Sequence, residues 1–402
     1  MTRPAKQVGL PFAMRLVLSV FGGLVAALLL WLSATVHLER ACTLLDTPYL
    51  SLCDEPAVED KLERQRKLRT HLAANPGDSA AWIQLTNLET GKYQKALFRA
   101  SATLAPADPN VLMWRAGEAL GSAEYSQAVG LLVELIEHRG KGEAAQALAR
   151  IVASGQGTPL LRPHLATANR WLPQVLASLT TLKLPLTSAV PIVAEAAAKG
   201  TVTPQTLQSY VRTLKADGQW TDAYSLWLMQ QRGPTPLLFN GSFDQPFQPD
   251  GFDWEVTPTL QSRAGAVVRQ RGSVGKGQVL DLEFTGRPMA VPFLRQYLFA
   301  APGKYTLKGQ YMSSRLRTEQ GMAWSAVCLN TSASSAATVV GRSSGLQDTA
   351  GAWQSFQFRV VIPAACSPVV SLQLEPFAPF EAAAGMKGRA AFDALELVPQ
   401  RL

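Results

Sequence analysis

Two pairs of carboxylates stand at a spacing that acid–base chemistry can use. Asp253 and Glu255 are two residues apart, as are Asp281 and Glu283. On an extended strand such a pair shares one face, and glycoside hydrolysis needs two carboxylates flanking one bond. Neither pair sits in a recognisable motif, and solvated strand edges account for both. The remaining catalytic raw material is sparse. The histidines are His37, His71, His138 and His164, so no histidine-based triad or metal site can form beyond residue 164. The cysteines, Cys42, Cys53, Cys328 and Cys366, make no C-x-x-C pair, which excludes a zinc ribbon and a thioredoxin-type centre. No Ser elbow, P-loop, dinucleotide fingerprint or H-E-x-x-H occurs. The expectation is a chain that is not an enzyme.

Recognition chemistry is better represented. Alternation sorts three runs onto two faces. Over 353–362, Phe356, Phe358 and Val360 point inward and Ser355, Gln357 and Arg359 outward, with Trp353. Over 303–312, Tyr305, Leu307 and Tyr311 share one face, and Lys308, Gln310 and Met312 the other. Over 369–375, Val370, Leu372 and Leu374 are inward, and Ser371, Gln373 and Glu375 outward. One sheet would thus carry amides, hydroxyls and cations with an aromatic at its edge. Aromatic rings stack on sugar C–H faces, and fixed amides and guanidinium groups bond sugar hydroxyls. Trp353, Gln357, Arg359, Lys308, Gln310 and Gln373 are therefore the candidate glycan-binding residues. An arginine would also suit an acidic sugar. A merely solvated sheet face has the same composition.

These runs belong to a C-terminal β domain over 233–402. Composition changes at Gly233-Pro234-Thr235-Pro236, and beyond it Gly and Pro punctuate short alternating runs. Predicted strands cover 279–284, 294–299, 303–311, 322–329, 353–362, 369–375 and 390–398, the pattern of an antiparallel sandwich. Three segments carry a likeness. Leu238-Phe239-Asn240-Gly241-Ser242-Phe243-Asp244, followed by Gly251-Phe252-Asp253-Trp254, looks like the opening of carbohydrate-binding-module jelly rolls. Ala301-Pro302-Gly303-Lys304-Tyr305-Thr306-Leu307 is similar to one of their strands, and Ala391-Phe392-Asp393-Ala394-Leu395-Glu396-Leu397 to their closing strand. The domain resembles the galactose-binding-like superfamily, a likeness of fold, since many members bind no sugar. Some of these jelly rolls hold a structural calcium, which the resemblance would place at Asp244 and Asp393; the alternative is that both satisfy backbone donors at turns. No other cofactor is implied. Trp254 is expected to plug the core against the opening strand.

Residues 55–232 are rich in helix formers and show a 32-residue period. Gly91-Lys92-Tyr93-Gln94-Lys95-Ala96-Leu97 is matched by Ala123-Glu124-Tyr125-Ser126-Gln127-Ala128-Val129, Trp82 by Trp114, and a later copy begins at Gly218-Gln219-Trp220. These residues resemble the tetratricopeptide repeat, which implies a concave protein-docking surface; a helical spacer without a partner is the plainer alternative. Between 140 and 205 the pattern degenerates, and Pro159, Pro163, Pro173, Pro185 and Pro191 are expected to cut it into short helices. Trp171, Trp220 and Trp227 are expected in the core.

Residues 16–36 contain no charge. At about 1.5 Å per residue they match a hydrocarbon core of about 30 Å. Arg3, Lys6 and Arg15 precede them without an acid, which puts residues 1–15 in the cytoplasm and the bulk of the chain across an inner membrane. A cleaved signal peptide competes, but its apolar core is usually shorter. Residues 37–54 would form a juxtamembrane loop. All four cysteines follow the span, which fits an oxidising periplasm. Cys42–Cys53 and Cys328–Cys366 are the favoured pairs because each lies within one segment; buried free thiols are the alternative. The net charge of +8 is spread out, and no basic block marks a nucleic-acid surface.

The expected fold is multidomain α + β: a transmembrane helix, a tetratricopeptide-like solenoid and a jelly roll. The expected role is a non-catalytic, membrane-anchored periplasmic accessory or scaffold in surface polysaccharide assembly or export. Its arm would dock on a protein, and its jelly roll on a glycan or a protein. A pure protein–protein scaffold of a secretion or division complex is the second alternative and a glycan-active enzyme the third.

Overall fold

The 32-residue period is a period of backbone conformation. Gly91 (φ +66°) and Ala123 (φ +60°) adopt the left-handed conformation at equivalent turns, and Gly218 (φ +78°) repeats it in the later copy. Glycine reaches that region freely, whereas alanine carries a Cβ penalty. Each turn joins two helices that pack against each other. The computed structural model describes residues 61–140, 142–231, 233–257, 265–329, 338–366 and 368–400. The expected cytoplasmic segment 1–15, membrane helix 16–36, loop 37–54 and Cys42–Cys53 bridge lie outside the described residues. Among the described residues no helix is long and apolar enough to cross a membrane.

The chain divides into two compact units at Leu104/Ala105. In the first, α1 (Lys61–Ala74), α2 (Ser79–Leu88) and α3 (Gly91–Leu104) surround a small core of Leu72, Ala81 and Leu85, with Leu68, Trp82 and Leu97 against it. Asp78 starts α2 by accepting from the amides of Ala80 (3.0 Å) and Ala81 (3.1 Å).

The second unit opens the same way. Asp108 accepts from Asn110 N (2.8 Å), and Pro109 takes the first position of α4 (Pro109–Gly121). Then come α5 (Tyr125–Arg139), α6 (Gly142–Ala153), α7 (Gly157–Leu161), α8 (Ala168–Thr181), α9 (Val190–Ala198), α10 (Pro204–Ala216) and α11 (Trp220–Leu228). Pro159, Pro163, Pro185 and Pro191 lie in or beside short helices and 3-10 turns, as expected. Pro173 does not cut the chain: α8 runs through it. Trp171, Leu172, Val175 and Leu179 of that helix are wholly buried, and this packing outweighs the hydrogen bond that proline cannot donate.

Beyond α11 two five-stranded antiparallel sheets stack into a sandwich. The first has the order β1 (Glu255–Val256), β4 (Leu294–Phe299), β9 (Val369–Pro376), β6 (Met322–Cys328), β7 (Thr338–Arg342). The second has the order β2 (Ala266–Ser273), β3 (Gly277–Thr285), β10 (Lys387–Pro399), β5 (Gly303–Arg317), β8 (Gln354–Ile362). Their inner faces share one core that includes Leu280, Leu307, Phe358 and Phe392 from one sheet and Leu294, Trp324, Leu372 and Leu374 from the other. A short helix, α12 (Phe380–Ala384), precedes β10. Cys328 and Cys366 are disulfide-bonded.

The opening and closing segments meet. Leu395 N donates to Gly241 O (2.9 Å), and a Cβ on Gly241 would lie 2.0 Å from the Leu395 carbonyl oxygen. Trp254 is fully buried and donates its indole N–H to Asn240 O (2.9 Å), the plug that the sequence suggests.

The composition change at 232/233 marks a switch from helix to strand, not a gap between bodies. Trp220, Tyr224 and Trp227, at helical spacing, form one aromatic stripe on α11. Tyr224 stacks on Phe299 at 4.3 Å, Trp220 packs tilted against Tyr297 at 4.8 Å, and Trp227 meets Phe239 edge-on at 5.1 Å. Each such pair adds about 0.5–1.5 kcal/mol beyond its burial. The helical core and the outer face of the first sheet therefore share one seam, which includes Phe252.

Candidate functional site

The second sheet carries the polar face. In register, Lys308 pairs with Gln357, Gln310 with Ser355 and Thr306 with Arg359. These side chains alternate with Tyr305, Leu307, Phe358 and Val360, which point into the core. On the other side of β5 the register with β10 jumps between Asp393↔Gln310 and Glu396↔Lys308, with Ala394 at φ +52° in the bulge. The bulge opens a groove of about 550 Å³ lined by Lys308, Gly309, Gln310, Ser355, Phe356, Gln357, Ala394 and Glu396. Gly309 shares the inward face of β5 with Leu307 and Tyr311, and a Cβ there would meet Leu395 Cδ2 at 2.4 Å and the Phe356 ring at 3.1 Å, so only glycine lets these two pack beneath the groove.

Several polar groups are held before any ligand arrives. Lys308 Nζ pairs with Glu396 Oε2 at 2.8 Å. Lys276, from the β2–β3 turn, donates to Gln310 Oε1, pairs with Asp393 Oδ2 at 3.4 Å and sits 4.6 Å from the centre of the Trp353 ring. The ammonium thus fixes the amide of Gln310 and the indole of Trp353 together. Gln357 is exposed on the edge strand, and Trp353 is half-buried just before it. The result is a slot with amide, hydroxyl and charged groups along its walls, and with Trp353 tied to its Gln310 wall through Lys276.

Of the six residues expected on this face, five are there: Trp353, Gln357, Arg359, Lys308 and Gln310. Arg359 lies beside Thr306, outside the groove lining. Gln373 is elsewhere. It belongs to β9 in the first sheet, where its Nε2 donates to Ser371 Oγ at 3.0 Å. The alternation of β9 was legible but its sheet was not, because inward and outward residues look alike in either layer.

The calcium ligands expected from the resemblance, Asp244 and Asp393, each have partners within the protein. Asp244 Oδ1 accepts from Gln278 N at 3.0 Å, whereas Asp393 accepts from Ala394 N at 2.7 Å and pairs with Lys276. Both serve turn donors, and an ammonium already neutralises Asp393. Among the described residues no group of three or more metal-ligating side chains comes together.

The carboxylate pairs have separate duties. Asp253 is buried and accepts from Trp254 N (2.7 Å), Gln248 N (2.9 Å) and Asn240 Nδ2 (3.4 Å). Burial pushes its pKa up to about 6 despite those donors. Glu255 turns to Lys215 Nζ (2.7 Å) and Arg295 Nε (2.9 Å). Asp281 and Glu283 are bridged by Arg269, at 2.9 and 3.2 Å.

Sequence reasoning missed Phe356 and Glu396 as groove members, and Lys276 as the partner of the groove residue Gln310. Lys276 reaches the site across a hairpin turn, which no strand alternation could place. Glu396 faces Lys308 only because of the bulge.

Comparison with known protein families finds no match, and comparison with curated proteins finds none. Solved structures do match. One is described as "CBM4 structure and function" (17% identity, 40% of this chain and 99% of that one, TM-score 0.32). Another is the CBM22-1 xylan-binding domain from Paenibacillus barcinonensis Xyn10C (13% identity, 40% and 93%, TM-score 0.29). A third is TmCBM61 in complex with β-1,4-galactotriose (12% identity, 42% and 100%, TM-score 0.25). The C-terminal sandwich resembles these carbohydrate-binding modules. That likeness is one of fold; what the groove does follows from its side chains.

Proposed function

We propose that the protein is a non-catalytic accessory factor that contacts a glycan through the groove of the second sheet. The observation that carries this is the coupling of Trp353, Lys276 and Gln310 beside the Lys308–Glu396 pair. A sugar ring can stack against the indole while preset amide, ammonium and carboxylate groups meet its hydroxyls, so little side-chain entropy is lost on binding. The engagement of Asp253 and Glu255 in separate buried contacts supports a binding role over hydrolysis.

The charge-free run 16–36 supports a single membrane anchor that places the rest of the chain in the periplasm, and the Cys328–Cys366 bridge accords with an oxidising compartment. In that setting the glycan would be a surface polysaccharide in assembly or export. A protein partner for the repeat arm is favoured by a groove of about 320 Å³ between α8 and α10, lined by Leu176, Thr180, Thr206, Ser209 and Tyr210 among others. Affinity electrophoresis of the full chain in gels cast with a panel of neutral and acidic polysaccharides tests the proposal. Retardation by at least one polymer, reduced in Trp353→Ala, is expected. Unchanged mobility in every gel would contradict it.

A further inference from the structure

A second cavity, of about 580 Å³, lies where α10 and α11 meet the first sheet. Its lining includes Arg212, Lys215, Trp220, Glu255, Arg295 and Tyr297. Trp220 and Tyr297 are half-buried, and their rings pack at 4.8 Å with an interplanar angle of 50°. They form an aromatic wall that still meets solvent. Neither the Tyr297 hydroxyl nor the Trp220 indole N–H makes a hydrogen bond to another described residue.

The charges are unequal. Three cations line the cavity, and one carboxylate does. Lys215 is 8% exposed and is spent: its Nζ donates to Gly251 O, to Pro249 O at 3.5 Å and to Glu255 Oε1 at 2.7 Å. Arg295 is not. It uses Nε for Glu255 Oε2 at 2.9 Å and stacks its guanidinium 5.1 Å above Tyr297. Among the described residues its two terminal nitrogens have no hydrogen-bond partner, and its plane is fixed from two sides. Arg212, on the rim, gives Nη1 to Asp250 at 3.1 Å and reaches Ser209 Oγ with Nη2 at 3.4 Å. Even with Asp250 counted, the cavity keeps one positive charge in excess.

A fixed guanidinium with a free pair of N–H groups is a bidentate donor site for a carboxylate. An adjacent aromatic wall suits the C–H face of a pyranose. We propose that this junction cavity binds a carboxylate-bearing sugar unit, a uronic acid within a glycan, with the carboxylate on Arg295 and the ring against Trp220 and Tyr297. The site is separate from the groove of the second sheet and does not depend on it. Because helices supply one wall and the sandwich the other, neither half of the site exists without the other.

Calorimetric titration of the full chain with trigalacturonate and β-1,4-triglucuronate, against maltotriose and cellotriose as neutral probes, tests this. The acidic trisaccharides are expected to bind, and added salt to weaken them. Arg295→Gln and, independently, Arg212→Gln should each weaken them roughly fivefold to tenfold. Arg212 is exposed, so its variant reports even if Arg295→Gln lowers stability. Four results would overturn the proposal. They are equal binding of the neutral probes, wild-type affinity in both arginine variants, no heat from either acidic probe at millimolar concentration, and loss of acidic binding in Trp353→Ala, which would assign it to the sheet groove.

Discussion

Replacing Lys215 with methionine tests the seam between helices and sandwich. Lys215 is 8% exposed, and its three acceptors come from the segment 249–255. Its ammonium also lies 5.3 Å from the centre of the Phe252 ring and 5.4 Å from that of Tyr297. Methionine conserves the apolar stem and removes the charge. Two carbonyls then lose their donor, and Glu255, 17% exposed, keeps only Arg295. Breaking a buried pair costs about 3–5 kcal/mol, and the remaining arginine lowers that to about 3 kcal/mol. For a unit of this size each kcal/mol shifts the melting temperature by about 2–3 °C, so a fall of roughly 6–9 °C is expected. Thermal unfolding followed by circular dichroism measures it. Adding Glu255→Gln should cost less in the Lys215→Met background than alone, because the orphaned carboxylate is then gone. A fall below about 2 °C, or strictly additive losses, would refute the account of the seam.

Ala123→Gly should stabilise the second unit by about 0.5 kcal/mol, because relief of the left-handed penalty exceeds the entropy that glycine adds; urea titration would show a higher midpoint at unchanged slope. Asp253 should titrate near pH 6 in a carboxyl-carbon NMR experiment. Its folded pKa is raised above the unfolded 3.8, so the stability from its protonated form is full below pH 3.8 and is lost as pH rises through 6. Relative to Asp253→Asn, the native chain should therefore lose about 3 kcal/mol across that window, and a flat difference would contradict the burial argument. Removing both Cys328 and Cys366 opens a loop of 38 residues and should cost about 3–4 kcal/mol by the chain-entropy estimate, read as a lower denaturant midpoint.

Legibility followed the range of the signal. Seven strands were readable as apolar runs between Gly and Pro, as was the inward set of β5, β8 and β9. β1, β2 and β7 were not. β2 carries Arg269 and Arg271 on an edge, and β1 and β7 are two and five residues long, so burial leaves little periodicity in them. Asn240 and Trp254 were visible as a motif because their hydrogen bonds stay within the segment 240–254, although Gly241 also meets the distant Leu395. Sheet membership of Gln373, the β10 bulge and the reach of Lys276 depend on pairings distant in sequence, which a single chain does not display. Of the seam, the sequence places Trp220 and Trp227 in the helical core. That is half of it; its other half, Tyr297 and Phe299, lay in a strand whose outward face gave no sign of a partner.

Hydroxyl-radical footprinting of the full chain with a polysaccharide that retards it tests the central claim most directly. The groove account predicts that oxidation of Trp353 and Phe356 falls on binding. Unchanged oxidation of both residues in the bound state would place the glycan elsewhere and contradict it.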